Sequence, residues 1–305
     1  MSQKTSHLLP IIPLPLSEAQ LKEIVEKSKD WVLMHGISMR PKTQFDEDGL
    51  RFLPFVLIPS VFPRKEFEKA CEMQSILNEL MHKVAHDRCF FTESLKDIVK
   101  VDEFTRNLFR IYETVVAEGL TQAPSIHYHL AGTKKVQQTL AKPGALEQFL
   151  SDPLKVAKVK QIFGGLYSLD SDELGEQAVQ MAIDDPEKFV LKPQREGGGN
   201  NVYGLEVRDA VKKMKDSEER TAWILMERIR PPLTMGYMVR PGGNKVSQLV
   251  EVVSELGIYG VVIGDAENIT YSKQVGHILR TKPATANEGS TSSGPGALDS
   301  PHLID

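Results

Sequence analysis

Apolar residues recur at helical spacing through most of the first third of the chain. Leu21, Ile24, Val25, Ser28 and Val32 share one mostly apolar face of a stretch that opens at Ser17 and stops at Gly36. Ser17 with Gln20 three residues on makes a capping box, so a helix is predicted to start there and to end at the glycine. The residues before it, 1–16, contain Pro10, Pro13 and Pro15 and predict an extended arm. Phe67, Cys71, Ile76, Leu77, Leu80 and Val84 predict a second helix from Arg64 to about His86, and the same period continues through 95–99 and 104–118 toward Gly119. These stripes read as core. Residues 41–51 are polar and loop-like. Phe55-Val56-Leu57-Ile58 stands between Pro54 and Pro59, which predicts a short strand or extended crossing outside the centre of a sheet.

The pattern changes at Gln122. An extended segment is expected around His127-Tyr128-His129, after which Thr133 is placed to cap a helix opened by Lys134 and Lys135 and ended by Pro143-Gly144. Helical stretches are predicted over 154–163 and 173–182, with a break at Gly164-Gly165. Phe189-Val190-Leu191 then reads as a short buried strand ending on Lys192. A basic helix over 210–215 and a buried strand over 223–227 follow. Residues 245–257 and 258–263 predict two strands around a turn near Gly257, and Arg280 with Lys282 forms a basic pair further on. Residues 287–296, rich in Gly, Ser, Thr and Ala, read either as a mobile loop or as a lid.

Chemistry concentrates after the 189–192 strand, where Lys192-Pro193-Gln194-Arg195-Glu196-Gly197-Gly198-Gly199-Asn200-Asn201-Val202-Tyr203-Gly204 contains three consecutive glycines. Ordering such a run is entropically costly. One return is that backbone N–H groups without a Cβ in the way can close over phosphate oxygens. Lys192 would add a point charge and Glu196 a metal-holding carboxylate. A flexible surface loop is the competing reading. The polar crowd of Arg195, Glu196, Asn200 and Asn201 favours a nucleotide-phosphate lid. No Gly-Lys-Ser/Thr follows, so it is not a P-loop, and Val202 stands where a dinucleotide fingerprint needs glycine.

Other candidates are weaker. Lys134 and Lys135 at a helix start oppose the macrodipole by a few tenths to about 1 kcal/mol, which either a nearby polyphosphate or plain solvation would relieve. Glu251 and Glu255, four apart on a strand, point to one face, a pattern that fits metal coordination, a ribose contact or a solvated face. His82 and His86, four apart on a helix, lack a third ligand nearby, so a solvated helix face competes with a metal pair.

Composition narrows the classes. The 305 residues are 41% hydrophobic and 26% charged, as in soluble globular proteins. A net charge of −4 gives no electrostatic case for nucleic acid or an anionic membrane. Cys71 and Cys89 are too few for a disulfide scaffold and suit reduced thiols, with a single bridge left open. No apolar run approaches the roughly 18 residues of a membrane span. The apolar start is broken by prolines and lacks a basic region, unlike a signal peptide, so a cytoplasmic protein is expected.

The run from Lys192 to Asn201 joins three further motifs: Leu130-Ala131-Gly132-Thr133-Lys134-Lys135-Val136-Gln137-Gln138 before it, and Ser254-Glu255-Leu256-Gly257 and Leu279-Arg280-Thr281-Lys282 after it. With these the chain closely resembles the eukaryotic glutathione synthetases, over nearly its whole length. The resemblance implies an α/β (α+β) fold of ATP-grasp type. Residues 1–122 would be the helical N-terminal part, and residues 123–305 the ATP-grasp part with a glycine-rich lid and a C-terminal lid loop. It also implies a cytoplasmic homodimeric ligase that uses ATP and Mg2+ to join γ-glutamylcysteine to glycine, with no nucleic-acid or membrane partner.

By motif position Lys134 and Lys192 resemble the nucleotide lysines. Pro193, Gln194, Arg195, Glu196, Gly197, Gly198, Gly199, Asn200, Asn201 and Tyr203 resemble the lid, with Glu196 as its magnesium ligand. Met226, Glu227, Arg228 and Ile229 resemble the adenine-side hinge, Glu255 the ribose contact, Lys282 a further ATP contact and Arg280 the catalytic arginine at the substrate carboxylate. The family's alanine-rich lid falls near Thr291-Ser292, which is Ser/Thr-rich here. Family members carry a long block between the positions of Gln122 and Ala123. It holds a Glu-x-Asn magnesium pair, the groups that grip γ-glutamylcysteine and an Arg-x-x-Tyr motif, none of which occurs in this sequence. Two readings follow, a ligase or a non-catalytic module that binds ATP or dimerises with the full-length enzyme.

Overall fold

The structure is a computed structural model that describes residues 6–40, 49–118, 126–195, 199–242, 248–291 and 294–305. In chain order the elements begin with helix α1 (Glu18–Met34), strands β1 (Ser38–Met39), β2 (Arg51–Phe52), β3 (Phe55–Val56) and β4 (Ser60–Pro63). Helices α2 (Arg64–Ala85), α3 (Arg88–Leu95), α4 (Ile98–Val101), α5 (Glu103–Ala117), α6 (Ile126–Ala131), α7 (Lys134–Leu140) and α8 (Pro153–Ile162) come next. They are followed by β5 (Leu166–Ser168), α9 (Glu173–Asp184), β6 (Phe189–Lys192), β7 (Val202–Tyr203), α10 (Glu206–Met214) and β8 (Ile224–Glu227). The last are β9 (Thr234–Val239), β10 (Leu249–Gly264), β11 (Ile269–Pro283), β12 (Ala297–Asp299) and β13 (Pro301–Ile304). They form two compact units, one of Met1–Cys71, Arg230–Tyr259 and Val275–Asp305, the other of Glu72–Ile229 and Gly260–Gln274. Neither is contiguous in sequence.

The first unit is built on a closed barrel of order β10-β11-β12-β3-β9. Helix α1 starts as its capping box predicts: Ser17 Oγ accepts from the Gln20 N–H, and Gln20 Oε1 accepts from the Ser17 N–H at 3.1 Å. Its buried stripe, Leu21, Val25 and Val32, packs with Phe55, Tyr237 and Val239. Gly36 past its end has φ +72°, the left-handed value that suits glycine.

Two strand expectations are corrected here. Phe55-Val56 is an interior strand, parallel to β12 through Leu298 and antiparallel to β9 through Val239 and Met238. The prolines frame the pairing without interrupting it: Pro54 offers only its carbonyl, which accepts from the Leu298 N–H at 2.8 Å. Nor does the chain turn at Gly257. β10 runs unbroken for 16 residues, and Gly257 lies where a Cβ would come within 3.1 Å of Ile278. The reversal comes at Asp265, whose Oδ1 accepts from the Glu267 and Asn268 N–H groups. Arg51, placed in a loop by its polar neighbours, pairs with Met39 in β2; residues 41–48 lie outside the described residues.

The second unit holds a four-stranded antiparallel sheet of order β5-β8-β6-β7. Phe189, Val190 and Leu191 of β6 are buried, as expected of an interior strand. Helices α9 and α10 cover the sheet with Ala178, Val179, Val207 and Val211 against Leu191 and Leu225. A separate helical core gathers Leu80, Phe91, Leu95, Tyr112, Leu130 and Val136. Residues 126–131 are helical (α6), not extended, because Ile126 and Leu130, one turn apart, both meet that core. The helical period expected through 95–99 breaks at Lys96 between α3 and α4, and the 210–215 helix extends back to Glu206.

His82 is neither on a solvated face nor free to bind metal. It is 3% exposed, with Nδ1 2.6 Å from the Tyr128 hydroxyl and Nε2 2.7 Å from the Asp265 carbonyl. A carbonyl only accepts, so Nε2 carries a proton and donates it to Asp265. Cys71 and Cys89 are free thiols. No described helix is long and apolar enough to cross a membrane.

Leu225, fully buried on β8 between the sheet and its helices, tests this core. Leu225→Ala is expected to destabilise the protein by about 3 kcal/mol, read as a lower urea midpoint with an unchanged slope.

Candidate functional site

The residues that the sequence singles out lie in both units, and each group is built by its own unit. In the second, β6 delivers Lys192 opposite Ile224, at the half-buried end of a strand paired on both edges. The chain then passes Pro193, the buried Gln194 and the exposed Arg195. Glu196, Gly197 and Gly198 lie outside the described residues. Gly199 follows with φ +94°, a conformation that a side chain resists, and Asn200 beside it is exposed. Asn201 Nδ2 donates to the Tyr203 hydroxyl at 3.2 Å.

Tyr203 sits on β7 opposite Val190, and the Arg228 guanidinium lies 6.0 Å from its ring centre, a cation–π distance. Met226 pairs with both Val190 and Leu166. Glu227 and Arg228 are held by their N–H groups, to the Gly165 carbonyl at 2.8 Å and the Lys188 carbonyl at 2.7 Å, while Ile229 is exposed. The sheet therefore brings Lys192, Tyr203 and residues 226–228 onto one four-stranded frame.

Helix α7 departs from the expected cap. Thr133 has N-cap backbone angles, φ −64° and ψ 151°, but its hydroxyl donates to the Leu130 carbonyl at 2.8 Å. The acceptor for the Lys135 N–H is Gln194 Oε1, 2.9 Å away and 59 residues along the chain. The Lys134 ammonium reaches Gln137 Oε1 at 3.2 Å. Lys135, read as half of a solvated or phosphate-facing pair, instead makes a buried ion pair, its Nζ 2.7 Å from both Asp170 oxygens. Burial pushes the Lys135 ammonium down and the Asp170 carboxylate opposes it. Arg220, 2% exposed, donates to the carbonyls of Leu169, Asp170 and Lys215 at 2.7 Å each. Asp170 and Arg220 carry no local signal, because their partners are remote in sequence.

A polar cavity of about 470 Å³ adjoins the Lys135–Asp170 pair, and Lys135 is the one candidate from the sequence among its described lining residues. Its walls carry two more closed ion pairs, Lys96–Glu93 and Lys100–Asp97.

In the first unit Glu255, Arg280 and Lys282 come together. Glu255 Oε1 lies 3.1 Å from Lys282 Nζ and Oε2 3.3 Å from Arg280. Lys282 also donates to the Asn287 carbonyl at 2.9 Å. Glu251 is exposed, and the ion pairs of this cluster go to Glu255. On the other face of the same strands Ser254 Oγ lies 2.7 Å from Thr281 Oγ1, which donates to Asp299 Oδ2 at 2.5 Å. Asp299 Oδ1 accepts from the Ser60 and Ser300 N–H groups at 3.2 and 2.7 Å. Desolvation pushes the Asp299 carboxyl above its ordinary 3.8 despite these donors. Thr291 is described and Ser292 is not. Arg240 donates to the carbonyls of Gly294, Pro295 and Gly296 beyond them.

The chain's mixed helices and sheets, with the antiparallel sheet of the second unit among them, belong to an ATP-grasp-type fold, as the family match and a solved structure of the same fold show. The family model described as eukaryotic glutathione synthase, ATP binding domain, matches residues 18–130 and 114–303. The chain belongs to this family, whose members are ligases. The glutathione synthetases of Xenopus laevis and Homo sapiens are 47% and 48% identical to it over 184 residues, 60% of this chain and 38% of each relative. The chloroplastic enzyme of Arabidopsis thaliana is 45% identical over 185 residues, 60% of this chain and 33% of that protein. The chain thus spans less than two-fifths of the length of these relatives. A glutathione synthetase-like effector from Globodera pallida, solved in its apo form, shares the fold, with a TM-score of 0.68 at 17% identity over 95% of this chain and 98% of that one.

Asp299 supplies a pH test of the barrel. Its carboxyl holds the proton more tightly folded than unfolded, so stability falls as pH rises from the unfolded value of 3.8 through the folded one. The stability of the natural chain minus that of Asp299→Asn is expected to decline as pH rises above the ordinary carboxyl value of 3.8 in urea titrations. A difference that grows with pH would contradict this.

Proposed function

We propose that this chain acts as an ATP- and magnesium-dependent carboxylate–amine ligase, joining γ-glutamylcysteine to glycine through an acyl phosphate, as a cytoplasmic homodimer. The observation that carries the reading is the loop that leaves β6, a strand paired on both edges, with Lys192 paired to Ile224 at its end and Gln194 buried just beyond it. A glycine-rich segment that starts from a rigid frame can close over a ligand and return to the same place.

In this reading Lys134 and Lys192 neutralise the polyphosphate. Pro193 and Arg195 to Asn201, with Tyr203, close over it. Met226, Glu227, Arg228 and Ile229 border the adenine. Glu255 accepts from the ribose, which its present ion pairs permit, since a carboxylate has about four lone-pair sites. Lys282 adds a further ATP contact, and Arg280 faces the substrate carboxylate. Phosphoryl transfer to a carboxylate asks a protein chiefly for positioning and charge neutralisation, and a closed lid keeps water from the acyl phosphate. Among the described residues no three His, Cys, Asp or Glu side chains converge to hold a metal. In this reading Glu196 is the residue that would hold magnesium.

A second reading has its own support. The chain matches only 38% of the animal enzymes, and the block that grips γ-glutamylcysteine in the family is absent from its sequence. On that reading it binds ATP, or pairs with a full-length enzyme, without turnover. The two-part division at residue 122 follows from the same missing block and is proposed with it.

The test is ATP turnover by the purified chain with Mg2+, γ-glutamylcysteine and glycine, following phosphate and tripeptide together. Both products, lost in Lys192→Ala, support the ligase; ATP binding without products supports the second reading. One charge-assisted contact is worth about 1.5–3 kcal/mol. Lys192→Ala is therefore expected to weaken ATP binding by roughly 10- to 150-fold in calorimetry.

A further inference from the structure

We propose that Gln194 is a positioning residue that ties the glycine-rich loop to the start of α7, not a group that contacts the nucleotide. Its functional consequence rests on the ATP-binding reading above; its structural part does not.

A helix leaves its first N–H groups without intrahelical partners. In α7 the flanking residue does not supply the missing acceptor: Thr133 makes no side-chain capping bond, and its hydroxyl donates to the Leu130 carbonyl. Gln194 Oε1 meets the Lys135 N–H instead, at 2.9 Å, and Gln194 Nε2 donates to the Ala222 carbonyl at 3.0 Å. The two partners fix the amide's orientation. Reversed, it would set its NH2 against an N–H and its oxygen against a carbonyl. At 2% exposure the side chain has almost no surface left for a ligand.

One amide thus joins the segment after β6, the first turn of α7 and the 3-10 turn Glu218–Ala222 before β8. Lys134 precedes one of its partners, and Lys192 lies two residues before Gln194 itself. The Gln194 side chain therefore ties the segment that carries Lys134 to the segment that follows Lys192. The buried Lys135–Asp170 pair reinforces the joint from the other side of the same residue.

The test is a mutant cycle read in two ways. In Gln194→Ala the Lys135 amide is expected to exchange at least about tenfold faster with deuterium, having lost its acceptor. ATP affinity should fall on the order of tenfold, and the loss should be non-additive with that of Lys134→Ala, since both remove the same placement. Gln194→Glu keeps an acceptor for Lys135 but cannot donate to Ala222, so it should retain the amide protection that Gln194→Ala loses. Additive losses in the double variant would mean that Gln194 contacts the nucleotide directly and would overturn the proposal. So would an unprotected Lys135 amide in the natural chain, a readout that needs no folded variant. If the natural chain binds no ATP, the nucleotide reading fails by itself, while Lys135 exchange still decides whether the tie exists.

Discussion

Burying a polar group is costly unless every donor and acceptor it carries is met. Three buried side chains around α7 find such partners at a distance. Gln194, Lys135 and Arg220 are each nine-tenths or more buried, and each finds partners in segments far away in sequence. Removing one partner strands the others, so the network holds the glycine-rich loop, the start of α7 and the turn before β8 in one arrangement. The sheet supplies the rest of the frame. β6 is paired on both edges and packed by Leu191 and Leu225 against α9 and α10, which leaves Lys192 little freedom at its origin.

The barrel follows a related logic with its two strand faces. Period-2 alternation sends Arg280 and Lys282 to one side of β11 and Thr281 to the other. On the first side Glu255 gathers both cations; on the second, Asp299 and two hydroxyls form a closed hydrogen-bonded row. The row sits where β10, β11 and β12 meet, so the strands that present the charged cluster are tied behind it. Exposed ion pairs alone contribute little to stability. The charged face therefore has its meaning in placement, and the buried row in holding that placement.

Much of the architecture was legible in local pattern. The capping box at Ser17, the stripe of α2, the buried run of β6 and the strand at β8 follow from spacing within a few residues, and they form as read. The motifs also carried the family, since a long specific string such as that around the glycines survives whatever surrounds it. Where the pattern misled, a distant partner had intervened. β3 is central despite its prolines because β9 and β12 reach it between them. His82 is buried because Tyr128 and the turn at Asp265 meet it.

What the sequence by itself determined is the set of elements with a strong period, the glycine-rich loop with its polar neighbours, and the family that those motifs define. Tertiary structure alone decided which side chains serve the frame. Lys135 and Gln194 stand in the motif among residues of the same polar character as Lys134 and Arg195, and nothing local separates them. The difference lies in Asp170, Ala222 and the helix end that they meet across 28 to 59 residues of chain. Burial and hydrogen-bond partnership are properties of that meeting, not of the residue type.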